Sequence, residues 1–117
     1  VEKFDMIKIY GNKNSKNLIL SWGSTKGAIL DAISDGKLDV KFVQILYMSP
    51  FPTKKIKDLV VKAKKVLVVE NNSESPLSKL IAEKTGFIVE DKNKILRYDG
   101  RPFFSDELAE EIRRRLK

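Results

Sequence analysis

The chain has 117 residues, of which 42% are hydrophobic and 33% charged, a net charge of +7, and neither cysteine nor histidine. A chain of this length and composition is typical of one folded domain with a single core. The two missing residue types exclude disulfides, thiolate nucleophiles, iron–sulfur ligation by cysteine and all histidine-based acid, base or metal-ligand chemistry.

The hydropathy and the start of the chain set its expected location. No apolar run approaches the roughly 20 residues of a membrane-spanning helix. The N-terminal segment VEKFDMIKIY also lacks the long apolar stretch of a signal peptide. We therefore expect a cytoplasmic protein that does not contact a membrane. Because the chain begins with Val1 rather than methionine, we also expect a processed chain or a fragment.

Short apolar runs alternate with amphipathic segments along the chain. Residues 1–17 are expected to be a lead-in with a possible short strand at 6–10, and residues 18–117 to form one domain. Further strands are predicted at 18–22, 40–47, 66–69, 87–89 and 95–98. Helices are predicted at 25–34, from 53, at 77–84 and from 105. This alternation predicts an α/β fold, a three-layer α/β/α sandwich with a mostly parallel sheet.

Two helix ends are marked by characteristic residues. Asp35-Gly36 predicts the end of the first helix, since glycine is the usual residue after a helix C-terminus. Ser75-Pro76 predicts an N-cap and a first-turn proline for the third helix.

The turn SWGSTKG, residues 21–27, joins a predicted strand to a predicted helix, where many proteins hold a phosphate. A P-loop would need G-x-x-x-x-G-K-[ST], whereas here a threonine and a lysine precede the second glycine. We interpret Ser24 or Thr25 as the cap of the helix. Gly23 would then permit a tight turn, and Gly27 a close approach of the helix to the sheet.

The segment VENN, residues 69–72, invites comparison with the thiamine diphosphate motif, which begins with Gly-Asp-Gly and ends in paired asparagines. The first half of that motif is missing, because Asp99-Gly100 follows the asparagines instead of preceding them. The chain therefore cannot hold this cofactor by the usual motif. We interpret Asn71 and Asn72 as turn residues beyond a strand.

Three loops are predicted at the carboxyl ends of parallel strands, at 23–26, 70–73 and 99–101. Ligands of open α/β sheets bind at that edge, so a weak anion site that includes Lys26 and Arg101 is predicted there. No catalytic residue and no metal ligand is predicted. The candidate ligand or interface residues are Gly23, Ser24, Thr25, Lys26, Glu70, Asn71, Asn72, Asp99 and Arg101.

Aromatic and basic residues raise two further possibilities. The aromatic residues Trp22, Phe51, Tyr98, Phe103 and Phe104 are predicted at the same edge; we expect some of them to belong to the core and the rest to form an interface. A lysine-rich segment could attract nucleic acid, but its lysines flank apolar residues as on the solvated face of an amphipathic helix, so we predict no nucleic-acid binding. These lysines are Lys54, Lys55, Lys57, Lys62, Lys64 and Lys65.

The chain resembles the C-terminal region of the alpha subunit of 2-oxoacid:ferredoxin oxidoreductases, and is closest to the 2-oxoglutarate type. The resemblance rests on four segments that occur in order: SWGSTKGAILDAI, LYMSPFPTKKI, KKVLVVENNSESPLSKLIAEKTG and ILRYDGRPF. It implies a fold like that of the transketolase C-terminal domain, in agreement with the sandwich predicted from the pattern of strands and helices.

The resemblance also implies a place in a larger enzyme. Enzymes of this family oxidatively decarboxylate a 2-oxoacid to an acyl-coenzyme A and reduce ferredoxin, with thiamine diphosphate, magnesium and an iron–sulfur cluster. The resemblance assigns these cofactors to other domains or subunits, the beta subunit among them, so we expect this chain to bind none. We expect a structural and assembly domain that is inactive alone. The alternative is a binding module for coenzyme A or another phosphorylated ligand at the strand ends.

Overall fold

The computed structural model describes residues 7–22, 26–45, 53–70, 76–96 and 105–116. Five strands lie in these ranges: β1 Ile7–Gly11, β2 Asn17–Trp22, β3 Lys41–Ile45, β4 Lys65–Glu70 and β5 Lys94–Leu96. The helices are α1 Lys26–Gly36, α2 Thr53–Lys62, α3 Pro76–Thr85 and α4 Ser105–Leu116, with a short 3₁₀ turn at Asp91–Asn93. No helix in the described ranges is both long and apolar enough to cross a bilayer.

The strands form one sheet in the order β1-β3-β2-β4-β5. β1 is an antiparallel edge strand beside β3, and the pairs β2–β3, β2–β4 and β4–β5 are parallel. Helices α1 and α4 pack together on one face, and α2 and α3 on the other. The predicted three-layer sandwich with a mostly parallel sheet is therefore confirmed, and a strand is present where the lead-in was expected to hold one.

Each central strand sends alternate side chains into two separate cores. On β4, Val66 and Val68 face α2 and α3, whereas Leu67 and Val69 face α1 and α4. All four side chains are buried, which explains why the strand is a continuous apolar run rather than an alternating one. Burial of each such side chain stabilises the fold by roughly 1.5–3 kcal/mol relative to an exposed one.

Helix α2 has the amphipathic character that the sequence predicts. Ile56 and Val60 are buried against the sheet, while Lys54, Lys55 and Lys57 are exposed to solvent. The part of the lysine-rich segment that lies in α2 is therefore the solvated face of a packed helix, as its spacing indicates. The prediction is wrong for the last two lysines of the segment, which follow the end of α2, and Lys65 begins β4.

α1 extends two residues beyond its predicted end. Gly36 is still helical, and the left-handed position falls on Lys37, with φ of 50°. The Leu38 N–H then donates to the Ile33 carbonyl at 3.1 Å, as in a Schellman cap. Gly36 instead permits close packing of α1 on α4, because a Cβ there would lie 3.2 Å from the Ala109 Cβ.

The strand predicted at residues 87–89 is wrong. The segment is not part of the sheet, because β5 occupies the edge beside β4. Phe87 and Val89 nevertheless pack against the core beneath α2 and α3, while Ile88 is 76% exposed. The alternating pattern thus reflects burial of every second side chain without strand pairing.

Among the described side chains of the last helix, three ion pairs form: Glu110 with Arg113, and Glu111 with both Arg114 and Arg115. Hydrogen bonding from Arg114, supported by Arg115, holds the pKa of Glu111 below its usual range against the opposing effect of partial burial. Such surface pairs contribute at most about 1 kcal/mol each, so the docking of α4 depends mainly on its apolar stripe.

Candidate functional site

The candidate site lies at the carboxyl edge of the sheet, between β2 and β4. β2 continues into α1 on one face, whereas β4 continues into α3 on the opposite face. Adjacent strands that continue to opposite faces leave a crevice between their carboxyl ends, the usual ligand position in open α/β sheets. β5 lies next to β4, so the strands that precede the three predicted loops are neighbours.

Two side chains at the end of β2 differ sharply in their surroundings. Ser21 is 1% exposed, and its hydroxyl donates to the Val69 carbonyl of β4 at 2.9 Å. Trp22, the next residue, is 47% exposed. The edge therefore combines a fixed polar link between the two strands with a large aromatic surface open to contact.

Glu70, the last residue of β4, caps α3 from within the protein. Its carboxylate accepts from the Leu77 N–H at 2.7 Å, and from the Ser78 N–H and hydroxyl at 3.3 and 3.1 Å. The residue is only 5% exposed. Free N–H groups at a helix start need acceptors, and the positive end of the helix dipole favours a carboxylate there. The N-terminus of α3 is thus occupied by the chain's own anion.

The start of α1 is the other helix N-terminus at this crevice. α1 begins at Lys26, directly after the loop that follows β2. Gly27 is exposed, and a Cβ built on it would meet nothing within 4 Å. The interpretation that Gly27 permits a close approach to the sheet is therefore wrong, because a side chain at this position would meet open space.

The structure brings Lys26 and Glu70 to the starts of α1 and α3 on either side of the crevice. The other candidate residues lie outside the described residues: Gly23, Ser24, Thr25, Asn71, Asn72, Asp99 and Arg101. Outside them too are the N-cap Ser75 and the aromatic residues Phe51, Tyr98, Phe103 and Phe104.

Sequence reasoning missed the two polar side chains that organise this edge. The sequence indicates Ser21 only as part of the turn, and Glu70 only as a ligand or interface residue. The signal for Glu70 is a single carboxylate among the apolar residues of a buried strand, which requires hydrogen-bond partners. Its partner lies seven residues away, beyond the reach of local capping patterns.

The described side chains do not form a metal site. Within the described ranges no three histidine, cysteine, aspartate or glutamate side chains gather in a way that could hold a metal ion. The chain also contains no cysteine thiolate for an iron–sulfur cluster. The residues present do not fit such a group.

Comparison with curated proteins gives relatives over most of the chain, although no family model matches it. The alpha subunit of 2-oxoacid:ferredoxin oxidoreductase 1 from Sulfurisphaera tokodaii is 40% identical over 106 residues. This match covers 91% of the present chain but only 17% of that relative. The chain therefore spans a small part of the length of the curated relatives it matches.

Two solved structures share the fold. The 2-oxoglutarate:ferredoxin oxidoreductase from Magnetococcus marinus, solved with 2-oxoglutarate, coenzyme A and succinyl-CoA bound, matches with a TM-score of 0.83 at 22% identity. That match covers 97% of this chain and 20% of the other. The alpha chain of a probable 2-oxoacid ferredoxin oxidoreductase from Thermoplasma acidophilum is 32% identical, with a TM-score of 0.63, over 96% of this chain and 98% of its own. The present chain belongs to the 2-oxoacid:ferredoxin oxidoreductase alpha-subunit family.

Proposed function

We propose that this chain is the C-terminal assembly domain of the alpha subunit of a cytoplasmic, thiamine-diphosphate-dependent 2-oxoacid:ferredoxin oxidoreductase. The observation that carries the proposal is the similarity to a solved alpha chain. The two chains are 32% identical, and the match covers 98% of that alpha chain. The holoenzyme would convert a 2-oxoacid to an acyl-coenzyme A and pass electrons to ferredoxin. Residues 18–117 would be the transketolase C-terminal-like domain, and residues 1–17 a lead-in whose β1 extends the sheet.

The residue chemistry supports an assembly role. The chain has neither cysteine nor histidine, and its paired asparagines lack the preceding Gly-Asp-Gly of the thiamine diphosphate motif. Its residues therefore do not fit the family's cofactors, and no reaction step is assigned to them. Thiamine diphosphate, magnesium and the iron–sulfur cluster would be held by other domains and by the beta subunit.

The carboxyl edge is the surface that we assign to assembly. Trp22 leaves nearly half of its large aromatic surface exposed next to the buried Ser21 link. The capping of α3 by Glu70 makes the same edge rigid. Exposed aromatic residues on rigid elements are typical of the residues that carry most of the energy of a protein interface.

An assembly experiment tests this proposal. The chain, the remainder of the alpha subunit and the beta subunit are co-expressed, and recovery of the complex and 2-oxoacid-dependent reduction of a dye are measured. We expect activity only from the complete set, and about thirtyfold weaker assembly with Trp22→Ala, since truncation of an interface hot spot costs roughly 2 kcal/mol. Ile88→Ala removes a more exposed apolar side chain from a different part of the surface and should assemble normally.

Two results would contradict the proposal. Turnover of a 2-oxoacid by the chain alone would show that it is not a supporting domain. Equal recovery of the complex with Trp22→Ala and with the unaltered chain would show that the carboxyl edge is not part of the interface.

A second candidate function is binding of coenzyme A or another phosphorylated ligand at the crevice. The observation that favours it is the asymmetry of the two helix starts. Glu70 fills the N-terminus of α3, whereas no described carboxylate hydrogen-bonds to the first turn of α1. An incoming phosphate would therefore bind on the side of α1 and Lys26.

Calorimetry with coenzyme A separates the second candidate from the first. If the crevice binds the ligand, Lys26→Gln and Arg101→Gln should each reduce the affinity about tenfold, because each removes a cation that the sequence predicts at the site. Lys79→Gln, which alters an exposed lysine of α3, is the matched control and should bind normally. The absence of any heat of binding with both the chain and the assembled complex would contradict this function.

A further inference from the structure

A cavity of about 170 Å³ lies at the amino edge of the sheet, where β2 and β3 begin and α2 ends. Four lysines line it, Lys13, Lys16, Lys41 and Lys62, and no acidic side chain does. Leu18 and Leu59 contribute apolar lining. We call this cavity the lysine pocket. The lysine pocket is remote from the crevice, because the amino ends of parallel strands lie at one edge of the sheet and their carboxyl ends at the opposite edge.

The loop that carries two of these lysines is fixed by hydrogen bonds. The Ser15 N–H donates to the Asn12 carbonyl at 3.0 Å, and the Ser15 hydroxyl to the Asp39 carbonyl at 3.0 Å. The Lys64 N–H donates to the Lys16 carbonyl at 2.7 Å, which ties the loop to the start of β4. The backbone of the pocket is therefore preformed, and a ligand would not have to order it.

The positive charge of the pocket is uncompensated. Among the residues that the structure describes, none of the four ammonium groups forms an ion pair. The nearby Asp39 carboxylate accepts a hydrogen bond from the Asn12 side-chain amide at 2.7 Å and does not line the pocket. The C-terminus of α2 contributes about half a negative charge, which the four lysines outweigh. An anion entering the pocket therefore gains attraction without displacing an internal partner.

The residue types and the size indicate the class of anion. All four cations are lysines, which bind as point charges and attract most strongly an anion that carries a high charge in a small volume, as phosphate does. The volume is below the roughly 300 Å³ at which pockets for drug-sized ligands begin. We infer that the lysine pocket binds a small phosphate-bearing anion, either free inorganic phosphate or pyrophosphate, or the phosphoryl group of a small metabolite.

The inference is tested by NMR titration of the ¹⁵N-labelled full chain with phosphate, pyrophosphate, glycerol phosphate and, as a carboxylate control, citrate. We expect saturable amide shifts in residues 13–16, 41 and 62–63, with phosphate compounds binding more tightly than citrate. Lys13→Gln combined with Lys62→Gln should weaken pyrophosphate binding at least tenfold, because both lysines line the pocket. Tighter binding of glycerol phosphate than of free phosphate would assign the natural ligand to the metabolites.

A matched pair of variants removes the effect of net charge. Lys54→Gln combined with Lys57→Gln makes the same charge change on exposed lysines of α2 outside the pocket, and should bind like the unaltered chain. Lys13→Arg combined with Lys62→Arg retains the charge and should retain most of the binding. If this arginine pair also lost pyrophosphate binding, the loss would be due to misfolding and not to the missing charge. Three results would overturn the inference. The first is the absence of saturable amide shifts, and the second is an equal loss of pyrophosphate affinity in both glutamine pairs. The third is tighter binding of citrate or short duplex DNA than of pyrophosphate.

Discussion

Glu70→Ala is expected to lower the free energy of unfolding by about 3 kcal/mol. The substitution removes a buried carboxylate that accepts from the Leu77 N–H, the Ser78 N–H and the Ser78 hydroxyl. Loss of a helix cap alone costs about 1 kcal/mol. Buried donors left without an acceptor add roughly 1–3 kcal/mol, because no other described acceptor replaces the carboxylate. Urea unfolding followed by circular dichroism measures the change.

Two further variants identify the cause of that loss. Glu83→Ala changes an exposed glutamate on the same helix and should alter stability by less than about 0.5 kcal/mol. Glu70→Gln keeps the size of the side chain and one acceptor oxygen but loses the charge at the helix N-terminus, so we expect an intermediate loss of about 1–2 kcal/mol. A Glu70→Ala chain as stable as Glu83→Ala would show that the cap contributes nothing.

The stability of this cap bears on the proposed function. Glu70 joins the end of β4 to the start of α3, and Ser21 joins β2 to β4 at the same edge. Both side chains therefore form hydrogen bonds within the domain, and these bonds hold the edge that we assign to assembly. A surface prepared in this way loses little conformational entropy when a partner binds. Trp22, which follows Ser21 in β2, is exposed and available for contact.

The fold could be predicted from the sequence because its pattern is strong and local. β4 is an apolar run because both of its faces are buried, whereas α2 has a lysine face because only one of its faces is buried. The features that were missed depend on contacts between distant segments. Gly36 contacts Ala109 of α4, so its role could not be inferred from α1 alone. The pattern at residues 87–89 indicated burial correctly but could not show that β5 takes the neighbouring place in the sheet.

The candidate site was predictable only in outline. Parallel strands imply a common carboxyl edge, and β2, β4 and β5 do lie side by side. The roles of individual residues there depend on where helices begin in space, as the cap formed by Glu70 shows. The lysine pocket could not be found from spacing, because its four lysines come from the loop after β1, from β3 and from α2.

Gly11→Ala should be as damaging as the loss of the Glu70 cap, and it acts on the opposite edge of the sheet. Gly11 has φ of 77°, and a Cβ there would lie 2.6 Å from the Val40 carbonyl oxygen. That oxygen accepts the Asn12 N–H at 2.9 Å, so a displaced Val40 carbonyl would break the link that starts the loop. Left-handed strain and the lost contact together predict a loss of about 3 kcal/mol in urea unfolding.

Two other described glycines separate the effect of backbone strain from the effect of the lost contact. Gly86 has φ of 80° but nothing within 4 Å of a built Cβ, so Gly86→Ala should cost only the backbone strain, about 1 kcal/mol. Gly27 lies in α1 with the same open space and no left-handed backbone, so Gly27→Ala should stabilise the chain by up to about 1 kcal/mol. Because Gly11 precedes the loop that carries Lys13 and Lys16, Gly11→Ala should also weaken pyrophosphate binding, whereas Gly86→Ala should not. Equal losses for Gly11→Ala and Gly86→Ala would mean that the Val40 carbonyl yields without cost, and that the loop is not held as its hydrogen bonds indicate.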